Sequence, residues 1–141
     1  MSERQYQDMA TSLHAAAIRL LRTLRREDAA SGISAPRLSA LSVIVFAGPM
    51  SLAELADAEQ VRAPTMSRIV EALVQAGLAT RDPHPSNRRM VRIAATAEGK
   101  RLLEAGRERR VRALTGRIAR LADSERRALA RGVEILEQIV R

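Results

Sequence analysis

The sequence predicts a mainly α-helical fold that carries one small β-hairpin. Apolar residues recur at three- and four-residue steps through most of the 141 residues, the spacing of amphipathic helices. Aromatic residues are almost absent, because Tyr6 and Phe46 are the only two. The core must therefore be aliphatic, a composition that suits packed helices. Only residues 78–94 combine alternating apolar residues with a cluster of turn formers, as a hairpin does.

The first predicted helix extends from about Gln5 to Glu27, and residues 28–32 end it. Its apolar stripe is longer than a small core requires, which indicates packing against a second chain. The stripe consists of Met9, Leu13, Ala16, Ala17, Leu20 and Leu24.

A second helix is predicted from Ser34 to about Phe46. Ser34 is a favourable N-cap, and Pro36 fits the first turn, where its missing N–H would have no partner. Gly48 and Pro49 end the helix, because glycine is favoured just past a C-cap and proline cannot continue a helix.

Two shorter helices follow in close succession. Ser51 and Glu54 are spaced as a capping box at the start of the first, which ends near Ala58. The second runs from about Pro64 to Ala76, and Gly77 stops it. Its apolar face is formed by Met66, Ile69, Val70, Leu73 and Val74. Two short helices joined by a tight turn make a helix-turn-helix unit.

The hairpin comes directly after this unit. Leu78–Arg81 and Met90–Ala94 are predicted as strands, and Asp82–Arg89 between them is predicted as a loop because it holds two prolines and an asparagine. A basic hairpin beside a helix-turn-helix is a wing. The predicted fold is therefore a winged helix-turn-helix with long terminal helices.

Two further helices complete the chain. Thr96 can cap the first of them, with Gly99 tolerated in its opening turn, and this helix reaches about Leu121. Residues 122–125 then restart a last helix. Apolar residues on the two helices include Leu102, Leu103, Val111, Leu114, Ile118, Leu129, Val133, Leu136, Ile139 and Val140.

The charge is unevenly distributed along the chain. The net charge is +8, and arginine outnumbers lysine 23 to 1. Residues 1–60 carry 6 basic and 7 acidic side chains, whereas residues 61–141 carry 18 basic and 9 acidic ones. A one-sided positive field attracts polyanions, and the arginine fork suits phosphate and guanine. A solvated basic surface without a partner is the alternative.

The second helix of the pair presents a polar face opposite its apolar stripe. In a helix-turn-helix, the N-terminal residues of this recognition helix meet the major groove, where arginine can donate two hydrogen bonds to guanine. The alternative is an ordinary exposed helix face. The candidate DNA-binding residues here are Arg62, Ala63, Pro64, Thr65, Ser67 and Arg68.

The hairpin supplies a second set of basic residues. Arg88 or Arg89 at its tip could enter a narrow minor groove, whose negative potential favours arginine. Asp82 is expected to orient one of the arginines, because a bare carboxylate is repelled by phosphate. The candidate wing contacts are Arg81, His84, Ser86, Asn87, Arg88 and Arg89, and the alternative is a solvated basic turn.

The sequence gives little support for an enzyme or for a membrane protein. The chain has no cysteine and only two histidines, and it lacks a glycine-rich phosphate loop and a nucleophile elbow. We therefore predict that it is not an enzyme and has neither cofactor nor metal. The longest apolar run, Val43–Ala47, is far below the roughly 20 residues of a membrane span. With no secretory core near the N-terminus, a cytoplasmic protein without a membrane partner is expected.

The order and motifs of these elements resemble the MarR family of winged helix-turn-helix transcriptional regulators over nearly the whole chain. The matching segments are Leu52-Ala-Glu-Leu-Ala, Pro64-Thr-Met-Ser-Arg-Ile-Val-Glu-Ala-Leu, Gly77-Leu-Ala-Thr-Arg, Asn87-Arg-Arg and Thr96-Ala-Glu-Gly. The resemblance implies a homodimer whose terminal helices interlock and place two wings over a pseudo-palindromic operator in double-stranded DNA. It also implies repression, relieved by a small molecule bound between the dimerisation and DNA-binding lobes.

This resemblance gives a division of the chain. Residues 1–33 are expected to form an N-terminal dimerisation helix, residues 34–96 the winged DNA-binding lobe, and residues 97–141 the C-terminal dimerisation helices, all in one intertwined domain. The dimer interface is expected to include Met9, Leu13, Leu20, Leu129, Leu136 and Ile139.

The chain departs from the family pattern in three respects. The wing has Asn87 where the family usually has aspartate, and Ala95 where it usually has leucine. Few rings are present to stack on an aromatic ligand, so the effector is expected to be aliphatic or absent. His14 and Phe46 are the residues expected to line an effector pocket.

The leading prediction is a dimeric, sequence-specific DNA-binding transcriptional regulator, a repressor released by a small organic effector. A ligand-insensitive architectural protein with low sequence preference is the alternative, because an arginine-rich surface with a loosened wing would suit it. A small-molecule enzyme in a helical scaffold is a third hypothesis, for which no set of residues in the sequence provides the chemistry.

Overall fold

The computed structural model describes residues 1–141 and confirms the predicted class, mainly α-helical with a small antiparallel sheet. A 3-10 helix, Arg26–Ser31, continues the first α-helix. The α-helices are α1 Glu3–Arg25, α2 Ala35–Ala47, α3 Leu52–Ala58, α4 Ala63–Gln75, α5 Ala97–Ile118 and α6 Asp123–Ile139, and the strands are β1 Met50–Ser51, β2 Ala79–His84 and β3 Asn87–Ala95. All six helices lie close to their predicted positions.

The hydrophobic core is formed by residues from the middle part of the sequence. Its largest fully buried side chains come from α2, α3, α4 and β3, and they are Leu41, Ile44, Leu55, Met66, Val70, Leu73 and Ile93. By contrast, no residue of α1 or α6 is buried. The single chain thus buries the helix-turn-helix and leaves the apolar stripes of its terminal helices in solvent.

The sheet has a strand that the sequence does not reveal. The strand order is β1-β3-β2, with Met50 opposite Ile93 and Ser51 opposite Arg92. A strand of two residues is too short to show any alternation, so periodicity cannot detect it. Ser51 also caps α3, since its Oγ accepts a hydrogen bond from the Glu54 N–H at 3.1 Å. The reciprocal bond of the predicted capping box is absent.

The wing strands are longer than predicted, and the prediction of a loop over Asp82–Arg89 is wrong. The strands extend to His84 and from Asn87, so only two residues remain in the turn. The strand β2 lies at the edge of the sheet and has a partner on one side only. Proline is tolerated in such a strand, because an N–H group on its open side would have no hydrogen-bond partner in the sheet. The prolines therefore mark an edge strand rather than a loop.

The wing and α5 are in close contact around Thr96 and Gly99. The Thr96 Oγ1 accepts a hydrogen bond from the Gly99 N–H at 3.0 Å and donates one to the Gly77 carbonyl at 2.7 Å. Gly77, which ends α4, has a φ of +74°. A Cβ on Gly99 would lie 2.3 Å from the Leu78 carbonyl oxygen. The close backbone contact therefore requires glycine at position 99. From the sequence we expected only that glycine is tolerated there.

We expect Gly99→Ala to destabilise the fold by about 1–3 kcal/mol, because the added methyl group would force backbone apart in a packed junction. Urea unfolding followed by circular dichroism measures the change. Gly116→Ala is the matched control in the same helix, since a Cβ there meets nothing within 4 Å. Helix propensity should make that variant slightly more stable. Equal stabilities of the two variants would contradict the close contact at Gly99.

No single helix of the chain is both long and apolar enough to cross a membrane. The segment Glu3–Ser31 and α2 pass that test of length and composition only as a pair, bent by 90° at the break between them.

Candidate nucleic-acid interface

Helix α4 has one face in the core and the other in solvent. Met66, Val70 and Leu73 are buried against the rest of the lobe. Of the six predicted recognition-helix residues, Arg62, Ala63, Pro64, Thr65 and Arg68 are exposed, and Ser67 is half-buried. The helical repeat that fixes the core face therefore directs the arginines and the threonine outward.

The N-terminus of α4 is open. Arg62 is the N-cap, in an extended conformation, and no side chain caps the helix. Free N–H groups and the positive end of the helix dipole at such a terminus can receive a phosphate oxygen. The start of α4 thus combines an anion-accepting backbone with arginine and hydroxyl side chains.

The wing carries its basic residues on an irregular stretch of β3. Pro83 pairs with Val91 and His84 pairs with Asn87, so the register shifts between them. Residues 88–90, which include both predicted wing arginines, therefore have no directly paired residue in β2. Bulges of this kind bend a strand and redirect its side chains. Sequence patterns predicted a loop here and missed the bulge.

Two side chains shape the tip of the wing. The His84 Nδ1 accepts a hydrogen bond from the Ser86 N–H, and the Asn87 Oδ1 accepts one from the Arg89 N–H, both at 3.1 Å. Asn87 thus contacts the backbone of a wing arginine. His84 is half-buried, while Arg81, Ser86, Asn87, Arg88 and Arg89 are exposed.

The expected orienting contact of Asp82 is not formed. The arginines considered for this contact are Arg81, Arg88, Arg89 and Arg92. Arg92 lies across the strands from Asp82, but the Asp82 carboxylate makes no ion pair with it or with the others. The register of the hairpin explains this for the tip arginines, because Asp82 lies well before the tip.

Of the 23 arginines, five form ion pairs and 18 do not, and none of the five belongs to the helix-turn-helix or the wing. All five ion pairs of the chain use an arginine of α5 or α6. None of the arginines of α4 and the wing has an acidic partner, namely Arg62, Arg68, Arg81, Arg88, Arg89 and Arg92. This unpaired set, which we call the arginine surface, has its charge available for an external anion.

The predicted effector residues do not come together. His14 is exposed on α1, and Phe46 is exposed at the end of α2. The main cleft, of about 970 Å³, instead lies between the end of α1, the 3-10 helix, α2 and α5, and neither residue lines it. His14 is too far toward the N-terminus of α1, which meets the rest of the chain at its C-terminal end.

Polar contacts cross this α1–α2–α5 cleft. The Arg110 Nη1 donates to the Asp28 Oδ1 at 2.5 Å and the Arg109 Nε to the Glu27 carbonyl at 3.3 Å, joining α5 to the 3-10 helix. At the other end, the Ser39 Oγ donates to the Glu59 Oε2 at 2.7 Å. These residues are not recognisable in the sequence, because partners 20 or 82 positions apart form no motif.

No group of three or more histidine, cysteine, aspartate or glutamate side chains is placed to hold a metal ion. The structure also contains no buried polar side chain at all.

Comparisons with known proteins identify the family. The family model described as "MarR family" matches residues 33–91. The HTH-type transcriptional regulator Mb0904 of Mycobacterium bovis is 35% identical over 132 residues, which cover 94% of this chain and 92% of that protein. A regulator of Mycobacterium leprae, ML2140, is 32% identical over the same length and coverage.

Solved structures agree on the fold. RV1404 of Mycobacterium tuberculosis is 26% identical, with a TM-score of 0.79 over 98% of this chain and 95% of that one. A single-residue mutant of MepR from S. aureus, solved bound to an oligodeoxyribonucleotide, is 15% identical, with a TM-score of 0.74 over 94% of this chain and 98% of that one. Since the sequence matches extend over nearly the full length, the chain belongs to the MarR family of transcriptional regulators and has that family's DNA-binding fold.

Proposed function

We propose that the protein is a homodimeric repressor that binds a pseudo-palindromic operator in double-stranded DNA and is released by a small organic effector. The observation that carries this proposal is the arginine surface. It places six unpaired arginines on the recognition helix and the wing, whereas the arginines in the ion pairs belong to other helices.

Major-groove contacts are assigned to the start of α4. Arg62 and Arg68 would donate to base edges, with Thr65 and Ser67 on phosphate or base edges. Ala63 and Pro64 have small or compact side chains, which let the backbone approach the DNA. The MepR mutant, which has the same fold, was solved bound to an oligodeoxyribonucleotide, and this supports DNA binding as the proposed activity.

Minor-groove and phosphate contacts are assigned to the wing. Arg88 and Arg89 would enter the minor groove, because both are exposed in the bulge of β3. Arg81, His84, Ser86 and Asn87 would contact flanking phosphates or hold the tip. Asp82 is proposed to act only through Arg92, its cross-strand neighbour.

Dimerisation is assigned to the terminal helices. Apolar side chains of α1 and α6 are largely in solvent in the single chain, and several of them are more than a third exposed. Burying such a surface is worth about 25 cal/mol per Å² of apolar area. The set proposed for the interface is Met9, Leu13, Leu20, Leu129, Leu136 and Ile139. On this view residues 1–33 and 97–141 form the dimerisation part and residues 34–96 the DNA-binding lobe.

The effector is assigned to the α1–α2–α5 cleft rather than to His14 and Phe46. Aliphatic side chains line this cleft together with five charged ones, and no aromatic ring does; the charged residues are Arg25, Asp28, Glu59, Arg109 and Arg110. An amphipathic molecule with an aliphatic body fits that lining. Because Ser39 bonds to Glu59 beside the helix-turn-helix connection, a ligand in the cleft could shift α4.

Binding to duplex DNA from upstream of the protein's own gene tests the proposal, with a scrambled duplex for comparison. Fluorescence anisotropy should show an affinity for the upstream duplex that is at least about 10³-fold higher than the affinity for the scrambled duplex. Equal affinities would instead indicate an architectural protein with low sequence preference.

Salt should weaken binding steeply, because phosphate contacts release counterions. The logarithm of the binding constant should fall linearly with the logarithm of salt concentration, with a slope of about −0.9 per phosphate contacted. Arg88→Ala should reduce the magnitude of that slope by about 1. Arg120→Ala removes the same charge outside the arginine surface and should leave the slope unchanged. If Arg88→Ala leaves the slope unchanged, the wing does not contact phosphates.

A further inference from the structure

Most of the large apolar side chains that are exposed belong to the terminal helices α1, α5 and α6. In the winged lobe, residues 34–96, only Phe46 and Met90 are exposed in this way. Isolated apolar residues at a surface are common, so exposure alone carries little meaning. Met90 is distinguished by its place, since it is 44% exposed within the wing, among members of the arginine surface.

Met90 lies on the outer face of β3, the face opposite the core. Residues alternate between the two faces of a strand. Ile93 is buried and Val91 is half-buried, so these two mark the face toward the core. Met90 and Arg92 therefore share the outer face. Met90 also belongs to the bulge, because no residue of β2 is paired with residues 88–90.

The charged groups around Met90 are mostly cationic. Arg88 and Arg89 precede it and Arg92 shares its face, and all three are exposed without an acidic partner. Asp82, opposite Arg92, is the only acidic residue of the wing. Phosphate contacts alone would give an apolar side chain between these arginines nothing to pack against. The minor groove would, because deoxyribose rings form its walls, and methionine is among the apolar residues that proteins insert there.

We propose that Met90 makes an apolar contact in the minor groove and that this contact makes the wing select A·T pairs. The inference rests on the proposed function and adds a residue that recognises bases without a charge. Duplex DNA is the occupant because Met90 lies between members of the arginine surface. A duplex held by Arg88 and Arg92 would cover the side chain between them.

The selection follows from the groups on the floor of the minor groove. A G·C pair carries the guanine N2 amino group there, whereas an A·T pair carries only acceptors. The amino group would lie against a methionine side chain, which offers it only a weak acceptor, and an unpaired buried donor is unfavourable. The acceptors of an A·T pair can receive hydrogen bonds from the neighbouring arginines.

Salt dependence separates this apolar contact from a phosphate contact. Met90→Ala should weaken binding to the upstream duplex about tenfold, because the buried apolar area is lost. The slope against salt concentration should not change, since methionine carries no charge, whereas Arg88→Ala should reduce its magnitude by about 1. Met90→Leu keeps an apolar side chain of similar size and should bind like the wild type. Urea unfolding should be the same for these variants, because Met90 and Arg88 are exposed.

Base substitution tests the selection of A·T pairs. The chain contains no cysteine, so Ser86→Cys in the turn of the wing can carry an iron–EDTA group whose cleavage pattern identifies the base pairs under the wing. Those pairs are then made A·T, G·C or inosine·C, since inosine lacks the N2 amino group of guanine. The wild type should bind the A·T and inosine·C duplexes alike and the G·C duplex about tenfold more weakly. Met90→Ala should lose most of this discrimination, and Met90→Leu should keep it.

The outcomes separate this contact from the proposed function. Unchanged affinity of Met90→Ala, or a loss that also changes the salt slope, overturns the apolar contact. A wild type that binds the inosine·C duplex as weakly as the G·C duplex overturns it too, because the amino group is then not recognised. In each of these cases a preference for the upstream duplex over the scrambled one leaves the repressor standing. A wild type that binds no duplex DNA overturns the repressor and this contact together.

Discussion

Replacing Leu129 and Leu136 with aspartate should convert the dimer to monomers and lower operator affinity by about 10²–10⁴-fold. Both side chains are exposed on α6 of the single chain, at 41% and 37%, so the substitutions remove no contact from the core. In the proposed dimer they would place charges in an apolar interface, where unpaired charge is strongly unfavourable. Two linked half-sites bind far more tightly than one, and that gain would be lost.

Sedimentation and anisotropy measured on the same samples check this result. Circular dichroism and urea unfolding should show an intact lobe, because its core lies in α2, α3, α4 and the sheet. Wild type and the double variant should bind a single half-site with similar affinity. A variant that remains dimeric would show that α6 lies outside the interface.

The double variant Arg62→Ala/Arg68→Ala should weaken specific binding by about 2–6 kcal/mol, because each arginine that donates two hydrogen bonds to a base is worth about 1–3 kcal/mol. Arg62, the N-cap of α4, and Arg68 are six residues apart, about 9 Å along the helix axis, so their contributions should nearly add. Binding to a scrambled duplex should fall much less, since that binding depends on phosphate contacts throughout the surface.

Arg117→Ala/Arg120→Ala is the matched control for this prediction. It removes the same two charges from the end of α5 and the turn after it, and it should change specific binding only slightly. Single variants of α4 identify which arginine reads a base, since only that variant should relax sequence preference. If both double variants weaken binding equally, net charge and not α4 would determine affinity.

Helix positions were predictable from the sequence because local signals set them. Ser34 and Pro36 mark the start of α2, and Gly77, with φ +74°, ends α4. The apolar spacing of α4 correctly assigned Met66, Val70 and Leu73 to the core. From that assignment the exposed face with Arg62 and Arg68 followed directly.

The sheet and the cleft depend on contacts between distant segments and were not predictable. The strand β1 has only two residues and exists because it pairs with β3. The wing was predicted as two strands, but its segment Asp82–Arg89 was predicted as a loop, because proline is tolerated only on an edge strand and the strand order was unknown. The same limit applies to Asp82, whose cross-strand neighbour is set by the register, and to His14, whose distance from the cleft is set by helix packing.

A hydroxyl-radical footprint on the upstream DNA shows whether a homodimer contacts DNA through two copies of α4. We expect two protected patches related by a two-fold axis, with centres about one helical turn, roughly 10–10.5 base pairs, apart. The Arg62→Ala/Arg68→Ala variant should lose both patches together. Uniform protection along the duplex, or a single patch that persists in that variant, would contradict this mode of DNA contact.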